Sequence, residues 1–139
     1  MNALSLPMDI LGRALLGLYF LVPGGMKVMN IDGTLAYMST HGVPMPKVLL
    51  VLTVLLQVGG GLALMAGWHT KIAAFLLAGL TLLICVFMHD FWNSYPGGSQ
   101  AHEMQNFIKN LGIFAGLLIL AARGAPRASL DSRKSRSWP

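Results

Sequence analysis

The stretch VLLVLTVLLQVGGGLALMAGW, residues 48–68, contains no charged side chain. A helix needs about 20 mainly apolar residues to cross the hydrocarbon of a bilayer, and this run supplies them without interruption. It therefore reads as a transmembrane helix at about 47–67, and the rest of the chain can be parsed around it. Upstream lies a second apolar segment at about 8–28; downstream lie two more at about 70–92 and 103–122, each long enough to cross with some tilt. Only Gly67, Trp68 and His69 separate the second span from the third, which requires an antiparallel hairpin.

The composition agrees with that parsing. Of 139 residues, 55% are hydrophobic and 11% charged, with a mean hydropathy of +0.63. Four crossings and short connections use up most of the length, leaving no room for a sizeable extramembrane domain. The expected fold is all-α: a membrane-spanning antiparallel four-helix bundle over residues 1–123, followed by a basic cytoplasmic tail at 124–139 with Arg127, Arg133, Lys134 and Arg136. Asn30–Pro46 is rich in turn formers (Asp32, Gly33, His41, Gly42, Pro44, Pro46) and reads as an exposed loop, with Leu35 to Met38 suited to a short interfacial helix. The first span carries Asp9 ahead of it, Arg13 within it and no small-residue cleavage site, so it reads as a retained helix rather than a signal peptide.

The net charge of +5 does not point to a nucleic-acid partner. Lys and Arg at the ends of apolar segments record membrane orientation, and here they gather on the side of the two termini. Both termini are therefore expected in the cytoplasm of a cell whose inner membrane holds the protein. Cys85 is the single cysteine, so there is neither an internal disulfide nor a CxxC pair, and electrons would have to be carried by something bound. No covalent cofactor is expected. The four histidines share no metal-binding spacing, and no metal site is assigned.

In a lipid environment the informative residues are the polar and small ones, because a polar side chain at membrane depth must face protein or water. Steps of three and four place Arg13, Gly17, Phe20, Gly24 and Lys27 on one face of the first span, and Ala74, Ala78, Thr81, Cys85 and His89 on one face of the third. The same rule gives Thr53, Gln57, Gly60 and Gly61 in the second span and Gln105, Lys109, Gly112 and Gly116 in the fourth. Such stripes serve as packing seams between membrane helices. Pro23 is expected to kink or end the first helix. Arg13 is four residues from Asp9 and is expected to pair with it, or to reach Gln57. His89 and Asp90 close the third span and His102 and Glu103 open the fourth, which predicts one polar cluster with Lys109 facing inward beside it. His41 and His69 read as ordinary loop residues. The candidate ligand-binding residues are Arg13, Lys27, Gln57, His89, Asp90 and Lys109.

Several short motifs occur in order: Gly12-Arg13, Gly25-Met26-Lys27, Gly42-Val43-Pro44, Gln57-Val58-Gly59-Gly60-Gly61, Gly67-Trp68-His69-Thr70-Lys71, His89-Asp90-Phe91, Lys109-Asn110-Leu111 and Gly124 to Asp131. With these the chain resembles the DoxX family of small four-helix membrane proteins over nearly its whole length. The departures are Gln57, where the family commonly carries a glutamate, and Lys71, where it often has arginine. The resemblance implies an accessory or quinone-facing subunit of a membrane redox system linked to sulfur or thiols, at most part of an oxidoreductase. Its expected ligand is a quinone or a sulfur oxyanion, and its partners are the lipid bilayer and a redox protein or further copies of itself. The alternative is a non-enzymatic scaffold or a carrier of lipid or small molecules. The charge asymmetry carries its own test: reporter fusions after Gly97 should read as external and fusions at Ser132 as cytoplasmic, and the reverse pattern would remove the orientation argument.

Overall fold

The uncharged run forms a helix, α3 (Pro46–Ala66), in a computed structural model that describes residues 3–125 and 128–134. Pro46 stands at its first position, where a missing N–H costs nothing. At its other end Gly67 adopts φ +66°, and the N–H groups of Gly67 and Trp68 donate to the carbonyls of Leu64 (3.2 Å) and Ala63 (2.9 Å). This is the glycine-terminated helix end that satisfies two orphan carbonyls in a tight turn, and it sends the chain back at once into α4 (Thr70–Met88). Before this hairpin come α1 (Ser5–Met29) and α2 (Ile31–Thr40); after it come α5 (Gln100–Arg123) and the short α6 (Leu130–Lys134). By length and hydropathy α1, α3, α4 and α5 can each cross a membrane.

Two boundaries differ from expectation. The segment between the first two spans is mostly α2, whose N-cap Asn30 accepts from the N–H of Gly33 and supplies the cap that a helix start needs. Pro23 does not end α1; the helix continues to Met29. Inside a membrane bundle, neighbouring helices hold the path of a helix that lacks one internal hydrogen bond.

α1 packs on α3 by direct backbone approach. A Cβ on Gly17 would lie 2.6 Å from the Gly61 carbonyl oxygen, and one on Gly61 would lie 2.7 Å from that of Gly17. Here two glycines replace any side-chain layer, the small-residue solution to helix association in lipid. The inward faces of the first and third spans are as the spacing predicts: Arg13, Gly17, Phe20 and Gly24 are buried on α1, and Ala74, Ala78, Thr81 and Cys85 on α4. Phe20, Leu64, Leu77 and Leu117 join the four spans in one core.

The fourth span is rotated from expectation. On α5 the buried residues are Asn110 and Leu117, whereas Gln105, Lys109 and Gly112 are exposed. A Cβ on Gly112 or Gly116 would meet nothing within 4 Å, so these glycines are not a seam within the bundle. Asn110 instead accepts a hydrogen bond from the hydroxyl of Tyr19, linking α5 to α1.

At the end of the bundle that carries both termini, the chain beyond α5 returns to the helices. Asp131 accepts hydrogen bonds from the backbone N–H groups of His69 and Thr70, both at 2.8 Å, while its own N–H donates to the Gly67 carbonyl. α4 has no capping side chain of its own, so a residue 61 positions later in sequence serves that purpose. Burial would raise the Asp131 carboxyl, but the backbone donors at the start of α4 outweigh it and hold the group below its ordinary value. Ser129 is buried beneath this turn; Arg127 and Arg136 lie outside the described residues.

The contrast between seam and outer glycines yields a stability prediction. Gly17→Ala should destabilise the detergent-solubilised protein by about 1–3 kcal/mol, because its Cβ meets backbone that cannot move aside. Gly112→Ala should change it by less than about 0.5 kcal/mol, as for an exposed site without special geometry. Equal melting temperatures for the two variants would remove the close-approach argument.

Candidate functional site

The end opposite the termini, where α2 and the α4–α5 loop lie, holds a cavity of about 900 Å³ to which all of α1 to α5 contribute. One wall is apolar, with Leu52 from α3 and Phe75, Leu76, Leu83 and Phe87 from α4. The same side chains are exposed on the flank of the bundle, so this wall runs out sideways to the surface that lipid would cover. The other part is polar: Lys27 from α1, Asn30, Thr34 and Tyr37 from α2 and its cap, and His89, Glu103 and Asn106 from the α4–α5 side. An apolar slot closed by a few convergent polar groups is the usual make-up of a small-molecule site.

The polar groups are fixed by mutual bonds. His89 follows the last residue of α4, and its Nδ1 lies 2.7 Å from Glu103 Oε2 in the first turn of α5. Ser99 starts that helix by accepting the N–H of His102, which sets where Glu103 projects. The other carboxylate oxygen accepts from the Tyr37 hydroxyl at 3.2 Å, and the same hydroxyl lies 3.2 Å from the Met88 carbonyl. Burial and the nearby Glu103 carboxylate push the Tyr37 phenol up to about 12, so it stays a donor over the physiological range.

Beside this group a second pocket, of about 410 Å³, sits under the α4–α5 loop. Its interior edge is a denser cluster. His41 Nδ1 lies 2.7 Å from Asp90 Oδ1, both side chains being at most 6% exposed. Asp90 Oδ2 accepts from the Asn93 amide at 2.9 Å and from the Tyr95 hydroxyl. The His41 ring lies between those of Tyr37 and Tyr95, with centroids 4.3 and 4.2 Å away. Burial alone would raise the Asp90 carboxyl; the donors from Asn93, Tyr95 and His41 prevail and hold it below its ordinary value.

Of the six candidate residues, Lys27 and His89 line the large cavity. Asp90 is close by but engaged with His41 rather than with Lys109, so two polar clusters replace the single one expected. Lys109 is exposed on the outside of α5; its neighbour Asn110 faces inward, a rotation of one residue that takes Lys109 out of the interior. His41, read from sequence as an ordinary loop residue, is a buried member of the outer cluster. Arg13 belongs to the other end of the bundle, about 20 Å from Lys27 by the rise along α1. It pairs with Asp9 at 3.0 Å as expected, and donates to the carbonyls of Leu64 and Ala128 rather than to Gln57. Gln57 is buried between α1 and α3, and its Oε1 has no hydrogen-bond partner among the described residues. Tyr37 and Tyr95 were missed because an aromatic in a polar loop carries no spacing signal; Glu103 was recognised as part of the cluster, but its bond to His89 joins residues 14 apart.

The outer cluster gives a pH prediction with a definite sign. A carboxyl held below its ordinary value contributes stability above about pH 4 and loses it as pH falls through the lowered value. Wild type should therefore melt higher than Asp90→Asn at neutral pH, and the gap should shrink steadily below about pH 4. A gap that stays constant into strong acid would show that Asp90 acts only by shape.

Comparison with known proteins agrees with the architecture. The profile of the DoxX family matches residues 8–90. The chain is similar to the inner membrane protein YphA of Escherichia coli K12, 33% identical over 124 residues that cover 89% of this chain and 88% of that protein. It is also similar to the inner membrane protein YqjF of the same organism, 33% identical over 129 residues, with 93% of each covered. No solved structure matches it. Ordered motifs, four apolar spanning helices and these relatives converge: the chain is an integral inner-membrane protein and belongs to the DoxX family.

Proposed function

We propose that this chain is a quinone-facing membrane subunit of a redox system, binding a quinone headgroup at the polar end of the large cavity with the isoprenoid tail along its apolar wall. The observation that carries this reading is the lateral slot itself. Its volume of about 900 Å³ is within the range of small-molecule sites, and its apolar side lies against the layer in which quinones dissolve. A small sulfur oxyanion would leave that wall without a purpose.

The side chains supply complementary chemistry. Lys27 offers a cation with three donors to a carbonyl oxygen, and His89, held by Glu103, presents its second ring nitrogen for accepting or donating a proton. No dithiol exists in the chain, and Cys85 is buried with its Sγ 3.9 Å from the Phe107 carbonyl. Electrons are therefore exchanged between the bound quinone and a partner protein.

Decyl-ubiquinone titrated into nanodisc-embedded protein should quench the fluorescence of the tryptophans, and Lys27→Met should weaken the binding roughly tenfold, the value of one charge-assisted hydrogen bond. Lys109→Met, on the outer face, should leave it unchanged. Native mass spectrometry that finds only phospholipid in the slot, undisplaced by quinone, would overturn the proposal in favour of a lipid carrier.

A further inference from the structure

The pocket of about 410 Å³ under the α4–α5 loop has no part in the quinone reading, yet it has the size of a small-molecule site and a consistent hydrogen-bonding sense. The donors on its wall are spent on the protein. The Tyr37 hydroxyl donates to Glu103, the Thr40 hydroxyl to the Ala36 carbonyl at 3.0 Å, and the Tyr95 hydroxyl to Asp90. The Asn93 amide donates to Asp90 and the Gln100 amide to the Phe91 carbonyl at 3.1 Å. A carboxylate and a carbonyl only accept, so these two bonds also fix which end of each amide is nitrogen and leave its oxygen as an unspent acceptor.

His41 follows the same sense. The two faces of its ring lie against Tyr37 and Tyr95, and its Nδ1 meets the Asp90 carboxylate and so carries the hydrogen. The edge left to line the pocket holds Nε2, an acceptor in the neutral ring. Tyr37 places a second acceptor on the same wall, since its ring stacks on His41 while its hydroxyl holds Glu103. Two carboxylates stand here, Glu103 in the lining and Asp90 behind His41, and none of the described residues that line the pocket is Lys or Arg. Acceptors backed by negative charge, without a fixed cation, suit a ligand that is positively charged and brings its own donors.

We infer that this pocket binds the primary ammonium group of a small water-soluble amine, which donates to the Glu103 carboxylate and to His41 Nε2. The same group occurs on ethanolamine phospholipids, but their phosphate would enter without a cation to meet it. The rim of Gly97, Gly98, Ser99 and Gln100 is exposed, which favours entry from water. The site stands whether or not a quinone fills the neighbouring cavity.

The test is a titration of ethanolamine into histidine-labelled protein in phosphatidylcholine nanodiscs, read at the His41 ring nitrogens. A saturable shift at Nε2 is expected. Ethylene glycol, of the same shape without the charge, should bind roughly tenfold more weakly or less, and Glu103→Gln should weaken ethanolamine by a similar factor, the scale of one charge-assisted hydrogen bond. Glycolate should not bind. Equal binding of ethanolamine and ethylene glycol, binding of glycolate, or no saturable shift at His41 overturns the assignment. If Glu103→Gln does not fold, the comparison of the three compounds on the wild-type protein decides. The same shift in phosphatidylethanolamine nanodiscs without added amine would overturn the water-borne source and give the ammonium to a lipid headgroup.

Discussion

A buried guanidinium holds the terminal end of this bundle together. Arg13 is 2% exposed, and a charge removed from water must find acceptors or the site will not form. It finds them on three parts of the chain: Asp9 one turn earlier, the carbonyls near the end of α3, and the Ala128 carbonyl in the returning C-terminal segment. The Leu64 carbonyl already takes the Gly67 N–H, and Arg13 adds a second donor to it, so the guanidinium and the end of α3 share one acceptor. The Gly17–Gly61 approach, one turn further along α1, brings the helices close enough for the guanidinium to span them.

The two ends of the molecule differ in kind. At the terminal end the buried charges close on backbone groups, with Arg13 on carbonyls and Asp131 on the start of α4. At the opposite end the polar residues bond in pairs, yet they surround space: the helices part around the large cavity and α2 lies at its rim. One end is closed by its own contacts and the other encloses a cavity. A membrane protein cannot leave both ends loose, because without a hydrophobic drive between its helices it depends on such specific contacts.

Much of the bundle was legible in the chain. The four spans follow from charge-free length, and the inward faces of α1 and α4 from steps of three and four, because both carry a stripe of small and polar residues that differs sharply from its surroundings. On α5 the same rule misled. Gly112 and Gly116 resemble a seam but face outward, and Lys109 drew the reading to its own side of the helix, whereas Asn110, a single residue on, faces Tyr19. Small residues mark a close approach only when a partner exists, and the sequence of one helix does not contain its neighbour. Of the site, Lys27 and His89 were legible as members of polar stripes. The His41–Asp90 pair was not, since it joins residues 49 apart through a loop whose composition promised only exposure.

The capping of α4 by Asp131 bears on how the protein is made. A membrane helix delivered by the insertion machinery arrives in order, and the start of α4 enters the bilayer long before residue 131 has been synthesised. Until then the N–H groups of His69 and Thr70 must be satisfied by water or headgroups, and Arg13 lacks one of its carbonyls. The hairpin of α3 and α4 is thus inserted as a provisional structure. Maturation waits for the segment after α5 to fold back beneath it, so the assembly of this end is a late event, separable in time from insertion itself.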